Sequence, residues 1–255
     1  MQARQLLLHK NGPALWPEHK GEAQVRELQA TTPALIWEGT YQGTPTPPGG
    51  SVFKREWWIG NRYDHDDEEL INTVVGRWIS WDTGLKDKAS SDYTVGLVGE
   101  LWPDYRLAVR FVKRERLEFP YLPDEIETLA RRFNRDEKLR GVLIEDKVSG
   151  TSAYQTLMAS ANQWLKPLLV AFNPTVDKVT KANQAAVWCR NDCVLLPQPS
   201  PEALWLLDFE TELFDFPNVA HDDQVDAMAQ LIIWLENLLA EGWRARNSIS
   251  QEIGS

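Results

Sequence analysis

Three carboxylates lie within five residues at the start of the last strongly apolar segment of this chain. Asp222, Asp223 and Asp226 open a stretch whose apolar residues repeat with helical spacing, which predicts a helix over 222–239. One Asp at a helix start is explained by capping, which stabilises a helix by about 0.5–2 kcal/mol. Three exceed that need, and like charges this close repel one another. The fold must therefore bury this helix while its first turn presents acids to a polar site.

Two further acids end apolar, strand-like runs. Asp82 follows the run 74–81, and Glu145 follows the run 141–144. Asp146 points to the opposite face of its strand, so we expect Glu145 and not Asp146 to enter a shared site. Strand-end acids that meet a helix-start acid form an oxygen-only site for Mg²⁺ or Mn²⁺. Such a site indicates metal-dependent phosphodiester cleavage, while turn formation and surface exposure are the alternatives for each acid alone.

The hydrophobic pattern predicts an α/β fold with a mixed sheet flanked by helices. Short polar turns separate the first three strands, which indicates antiparallel pairing, and helices and strands alternate after them. The predicted strands are 77–82, 92–101, 105–115, 141–145, 165–172 and the edge strand 194–196, and the predicted helices are 122–133, 153–161, 176–188, 205–214 and 222–239.

The chain divides by composition into three parts. Residues 1–70 contain a breaker cluster at 44–50 and are predicted to be an extended N-terminal segment that wraps the main domain. Residues 71–240 form the predicted main domain, and 241–255 a C-terminal tail.

A formal net charge of −10 bears on the partners of the chain. Affinity for DNA depends on neutralising phosphates, so this charge predicts weak independent binding, with Kd values of about 10⁻⁴–10⁻⁶ M, and delivery of the substrate by another component.

No apolar run approaches the roughly 20 residues of a membrane span, and no secretory signal is visible. Cys189 and Cys193 are interpreted as ordinary thiols, which favours the cytoplasm.

The ordered motifs resemble the nuclease domain of the large terminase subunit of tailed bacteriophages. The resemblance covers about residues 75–238, and the segment 37–53 is similar to the stretch that joins the family's motor domain to its nuclease. The matching motifs are Trp81-Asp82-Thr83-Gly84, Ser91-Asp92-Tyr93-Thr94, Ile144-Glu145-Asp146-Lys147-Val148-Ser149-Gly150, Asp177-Lys178-Val179-Thr180-Lys181, and Phe216-Pro217 followed by His221-Asp222-Asp223-Gln224-Val225-Asp226-Ala227.

This resemblance implies a ribonuclease H-like fold, two catalytic Mg²⁺ or Mn²⁺ ions, and cutting of concatemeric double-stranded phage DNA during packaging. By resemblance, Asp82, Glu145 and one of Asp222 or Asp223 match the family's metal-binding acids. We favour Asp223, with Asp226 as an additional ligand or as a residue that supports the ligands. The implied partners are a terminase ATPase domain, the small terminase subunit and the portal, in the cytoplasm of a bacterial host.

The basic residues of the motifs are candidates for contact with DNA. Lys147, Lys178 and Lys181 are predicted to reach phosphates, with a solvated surface role as the alternative. His221 is expected to orient or cap its neighbours, because a hard oxygen site does not require imidazole.

The Gly-x₄-Gly-Lys-Ser/Thr loop of a packaging ATPase is missing from this sequence. The sequence is therefore expected to be part of a longer protein or a separately encoded nuclease, without ATP-driven translocation.

Two other functions compete with this hypothesis. One is a related nuclease of the same fold class, such as a Holliday-junction resolvase or a ribonuclease H, which the terminase-like segment 37–53 disfavours. The other is a non-catalytic scaffold that docks a portal or a small terminase subunit, with its acids acting only as helix caps.

Overall fold

The computed structural model describes residues 21, 23–25, 52–67, 72–83, 93–145, 153–173 and 176–253, with side chains up to residue 241. The chain divides into two compact units, Met1–Ser51 and Val52–Ser255. In the first unit the described residues are Gly21 and the helical turn 23–25. The breaker cluster at 44–50 and Lys147 lie outside the described residues. The second unit contains the sheet.

Seven strands form one sheet, in the order β1-β7-β4-β3-β2-β5-β6. Strands β2, β3 and β4 pair antiparallel, whereas β5 and β6 extend the sheet in parallel on one side, and β7 and β1 on the other. This arrangement confirms the predicted mixed α/β sheet. The strands are β1 (Arg62–Tyr63), β2 (Gly76–Asp82), β3 (Thr94–Leu101), β4 (Leu107–Glu115), β5 (Leu139–Glu145), β6 (Leu169–Phe172) and β7 (Val194–Pro197).

Five α-helices cover the sheet in the described part of the second unit. They are α1 (Leu122–Arg132), α2 (Ala153–Ser160), α3 (Lys178–Arg190), α4 (Leu206–Asp215) and α5 (Asp223–Ile253). Strand β6 begins four residues later than predicted, because the 3-10 turn Lys166–Leu168 contains Pro167. Helix α5 continues beyond the predicted end at 239 and includes 241–253. None of the described helices is long and apolar enough to cross a bilayer.

The two faces of the sheet carry different helices. On one face, residues such as Trp78 of β2 and Leu143 of β5 pack in a core with α3, α4 and α5. On the other face, residues such as Trp81 and Ile144 pack in a second core with α1 and α2. Successive strand residues alternate between faces. Asp82, which follows Trp81, therefore lies on the α3–α5 face.

Two glycines of β3 allow the close approaches that position the end of β2. A Cβ at Gly99 would lie 2.6 Å from Leu231 of α5, so glycine lets this helix approach the sheet. A Cβ at Gly96 would lie 2.8 Å from the ring of Trp81. Gln230 of α5 donates a hydrogen bond of 3.4 Å to the carbonyl of Trp81, which ties the helix to the strand one residue before Asp82.

Candidate metal centre

Asp82 and Glu145 end two adjacent parallel strands at the same edge of the sheet. The register pairs Trp81 with Ile144, so the two acids follow at neighbouring positions, with about 4.8 Å between the strands. Both follow residues of the α1–α2 core, so both face α3 and α5. Their exposed fractions are 1% and 3%. The sheet thus buries two carboxylates side by side, as the sequence predicted from the strand ends.

The first turn of α5 brings further acids toward the same edge. Asp223 and Asp226 are buried, and Asp222, just before the helix, is half-buried. Gln230 lies one turn after Asp226 on the same side of the helix, and its contact with Trp81 places this side of α5 over the end of β2.

Two lysines of α3 contact these acids. Lys181 Nζ lies 3.5 Å from Glu145 Oε1 and 3.2 Å from Asp226 Oδ1. Lys178 Nζ lies 2.6 Å from Asp222 Oδ1 and 2.9 Å from Asp226 Oδ2. Asp226 therefore offers one oxygen to each lysine, and Lys181 links the helix-start acids to the strand-end acid.

The two lysines differ in exposure. Lys181 is 3% exposed and reaches the acids from within the protein, whereas Lys178 retains 42% of its side-chain exposure. Burial lowers the pKa of Lys178, but its bonds to Asp222 and Asp226 outweigh burial and raise that pKa above its ordinary value. Both lysines thus contact the acids, and the raised pKa of Lys178 favours its charged form. Their contacts with DNA phosphates, like those of Lys147, stay predictions.

The N-terminus of α5 is capped by a residue that the sequence reasoning did not select. Glu212 of α4 accepts hydrogen bonds from the backbone N–H groups of Gln224 (2.7 Å) and Val225 (3.1 Å), and from the Gln224 side chain (2.7 Å). Arg114 lies 3.7 Å from the same carboxylate. Burial raises the pKa of Glu212, and the bonds from Gln224 and Val225 and the charge of Arg114 oppose that rise.

This cap changes the interpretation of the helix-start acids. Because Glu212 satisfies two of the N–H groups that an Asp cap would serve, capping does not account for the burial of Asp223 and Asp226. The signal for Glu212 was available in the sequence, since it lies between Phe209 and Leu213 on the apolar face of α4. An acid in that position needs a buried partner.

The donor atoms at this edge fit a hard divalent cation. Mg²⁺ and Mn²⁺ prefer carboxylate oxygens, and the buried acids here are Asp82, Glu145, Asp223 and Asp226. The side-chain nitrogen of Lys181 lies within 3.5 Å of Glu145 and 3.2 Å of Asp226, so oxygens of both acids point into the same space. Within the described residues, however, no three His, Cys, Asp or Glu side chains already stand in a metal-binding arrangement. The identity of the metal ligands therefore stays a prediction.

The mixed sheet, with antiparallel strands β2–β4 and acids at the ends of β2 and β5, defines the ribonuclease H-like class of folds. More specifically, the chain belongs to the family described as the terminase RNaseH-like domain, whose model matches residues 79–234. The match includes Asp82, Glu145 and all three helix-start acids. A search of curated protein sequences finds no significant match.

Solved structures with this fold include two terminases. The human cytomegalovirus terminase nuclease domain superposes with a TM-score of 0.50 at 12% identity, covering 71% of this chain and 92% of that one. The large terminase of a thermophilic bacteriophage, solved in complex with ADP, gives a TM-score of 0.50 at 10% identity and covers 84% of this chain and 52% of that one. At these identities the likeness establishes the fold alone.

Proposed function

We propose that this chain is a divalent-metal-dependent DNA endonuclease of a phage terminase, which cuts concatemeric double-stranded DNA during genome packaging. The observation that carries the proposal is the edge of the sheet at which Asp82 and Glu145 lie side by side beneath the first turn of α5. Membership of the terminase RNaseH-like family supports it. So does the Mn-soaked structure of the cytomegalovirus terminase nuclease domain, which shares the fold.

The proposed roles divide the acids into two groups. Asp82, Glu145 and Asp223 would hold two Mg²⁺ or Mn²⁺ ions, with Asp222 and Asp226 as further candidate ligands. When bound, such ions activate a water and stabilise the leaving oxygen of a phosphodiester. Asp82 and Glu145 are fixed by the sheet, so their carboxylates need little reorganisation. Asp223 is not required as the helix cap, because Glu212 fills that role.

Asp226 is proposed to position the two lysines. Its carboxylate contacts Lys178 and Lys181 through different oxygens. Held in this way, the half-exposed Lys178 presents a cation at the mouth of the site, where it would attract a phosphate. Lys181 is buried and offsets the repulsion between Glu145 and Asp226.

The wider context of the reaction is proposed on the family and the fold. We propose that the chain acts with a terminase ATPase domain, a small terminase subunit and a portal, in the cytoplasm of a bacterial host. The likeness to about half of the thermophilic phage's large terminase supports an ATPase partner. Each of these partners would supply DNA to a chain whose own charge is −10.

Cleavage of supercoiled plasmid tests the proposal. Wild-type protein with millimolar Mn²⁺ or Mg²⁺ should give nicked and then linear DNA, and EDTA should stop the reaction. Asp82→Asn should reduce the rate by about 10³-fold or more, because several kcal/mol of transition-state stabilisation is lost. Asp104→Asn, at an exposed turn, is the matched control and should cleave like wild type.

The same assay separates the nuclease from the non-catalytic scaffold. A scaffold would give no metal-dependent cleavage while remaining folded, as circular dichroism would show. Cleavage that persists in EDTA, or full activity in Asp82→Asn, would also overturn the proposal.

A further inference from the structure

A second cluster of side chains lies beside the acids, built around Tyr93. The guanidinium of Arg114 lies 4.0 Å from the centre of the Tyr93 ring, and that of Arg116 lies 4.7 Å from it. The ring of His221 meets the same tyrosine edge-on at 4.9 Å. Tyr93 and His221 belong to the sequence motifs, whereas Arg114 and Arg116 lie outside them.

The register places this cluster on the face of the sheet that carries the acids. Asp82 pairs with Val95, and Val95 pairs with Arg114, so Asp82 and Arg114 share one row across three strands. Directly opposed residues point to the same face, and the row from Asp82 to Arg114 spans about 10 Å. On the other side of the cluster, His221 immediately precedes Asp222. A surface thus runs from the acids across His221 and Tyr93 to the two arginines.

The two arginines differ in what they contact. Arg114 is partly buried and lies 3.7 Å from Glu212, the residue that caps α5. Arg116, just beyond the end of β4, is exposed and has no acidic partner among the residues whose side chains are described. Its contact with Tyr93 limits the freedom of its side chain, so less entropy is lost when the guanidinium binds a ligand.

We propose that Arg116, held against Tyr93, binds the sugar–phosphate backbone of duplex DNA and so holds the duplex beside the neighbouring acids. The guanidinium matches phosphate oxygens with paired hydrogen bonds, and such contacts set the register of a protein on DNA. A chain with a net charge of −10 needs a local cation beside its acids to receive a phosphate backbone. The inference rests on the proposed function, since it takes DNA as the substrate.

Binding is measured first, in EDTA, where cleavage is absent. Fluorescence anisotropy with a labelled random duplex is recorded over a series of salt concentrations. Arg116→Ala should weaken binding about tenfold. It should also make the slope of log Kobs, the observed association constant, against log salt less negative by about 1, because one phosphate contact is lost. Arg116→Lys should keep the slope and recover part of the affinity.

Arg190→Ala is the matched control, because Arg190 is an exposed arginine at the end of α3 opposite Lys178. It should change neither the affinity nor the slope. If Arg116→Ala binds DNA with unchanged affinity and slope, or if Arg190→Ala weakens binding as much, the inference is wrong.

Cleavage kinetics separate this inference from the proposed function. With Mn²⁺, Arg116→Ala should raise KM about tenfold and leave kcat close to wild type, since the acids are intact. A wild-type protein that binds DNA through Arg116 but never cleaves it would contradict the proposed function alone. A wild-type protein that cleaves, with an Arg116→Ala variant of equal KM, would contradict the inference alone.

Discussion

The two ends of strand β2 bury charge in opposite ways. At its start, Arg77 contacts Glu100 at 2.7 Å and Asp136 at 2.8 Å, and it donates a hydrogen bond of 2.6 Å to the carbonyl of Phe133. This end places one buried cation among several acceptors. At the other end of the strand, Asp82 lies beside Glu145 and near the acids of α5.

We interpret the charged groups at the Arg77 end as structural and the acids at the Asp82 end as kept for a function. A buried ion pair is tolerated when each charge has partners, and it then fixes local geometry. Like charges gathered in one place repel and cost stability, so another requirement must keep them there. At the Asp82 end two lysines contact a cluster of acids, and we attribute the cluster to metal and substrate binding.

The largest expected effect is at the Arg77 end. Arg77→Met should lower the free energy of unfolding by about 3–5 kcal/mol, because the buried Glu100 carboxylate loses its partner. Urea denaturation at pH 7 measures this, and Arg77→Met with Glu100→Gln should recover part of the loss. Unfolding energies equal to wild type in both variants would show that this end does not stabilise the fold.

The next effect belongs to the Asp82 end. Mn²⁺ at about 100 times its Kd should stabilise the protein by about 2.7 kcal/mol, which for a domain of this size raises Tm by about 5–10 °C. Asp223→Asn should lose most of this rise. Asp136→Asn should begin at a lower Tm and show the full rise, because it alters only the Arg77 end. Equal responses in both variants would contradict the assignment of Asp223 to the metal.

A smaller effect distinguishes the cap from the acids. Glu212→Ala should lower the free energy of unfolding by about 1–3 kcal/mol, because the buried N–H groups of Gln224 and Val225 lose their acceptor. Asp223→Asn, measured in EDTA, should unfold at no lower denaturant concentration than wild type, since it removes one of several like charges. If Asp223→Asn is less stable than wild type in EDTA, Asp223 is itself a structural cap.

The smallest effect is a pH dependence at the cap. The pKa of Glu212 is raised above its ordinary value of 4.5, so the folded state holds this proton more tightly than the unfolded chain. The stability from protonated Glu212 is complete below about 4.5 and is lost as the pH rises through the folded-state pKa. The free energy of unfolding of wild type minus that of Glu212→Gln is measured from pH 4 to pH 8. This difference should fall as the pH rises from about 4.5 through the folded-state pKa of Glu212 and level off above that pKa. A difference that rises with pH would contradict the shift.

Much of the fold could be predicted because local patterns determine it. The runs that end at Asp82 and Glu145 are apolar, short and bounded by polar residues, which is the pattern of buried strands. The polar stretches that precede β3 and β4 in the sequence correctly indicated antiparallel pairing. The regular apolar spacing of 122–133 predicted α1 to within one residue.

The remaining features depend on contacts between distant residues. Glu212 caps a helix that begins eleven residues later, whereas the caps considered from the sequence were only His221 and the acids at the helix start. Lys181 resembles any lysine of an amphipathic helix, yet it is buried because Glu145 and Asp226 surround it. Strand β1 is only two residues long and exists by pairing with β7, so no periodicity could indicate it.

The site also depends on which face of the sheet Glu145 points to, and this is set by the number of residues that precede it in β5. Glu145 faces α3 because it stands two positions after Leu143, and strand residues alternate between faces. Inserting a single residue between Leu143 and Glu145 would turn the carboxylate into the α1–α2 core, whereas inserting two would keep the face and shift it by about 7 Å along the strand. Length changes in this strand are therefore permitted only in even steps, and then at the expense of alignment with Asp82. The position of Glu145 beside Asp82 therefore depends on the number of residues in β5 as well as on the identity of the two acids.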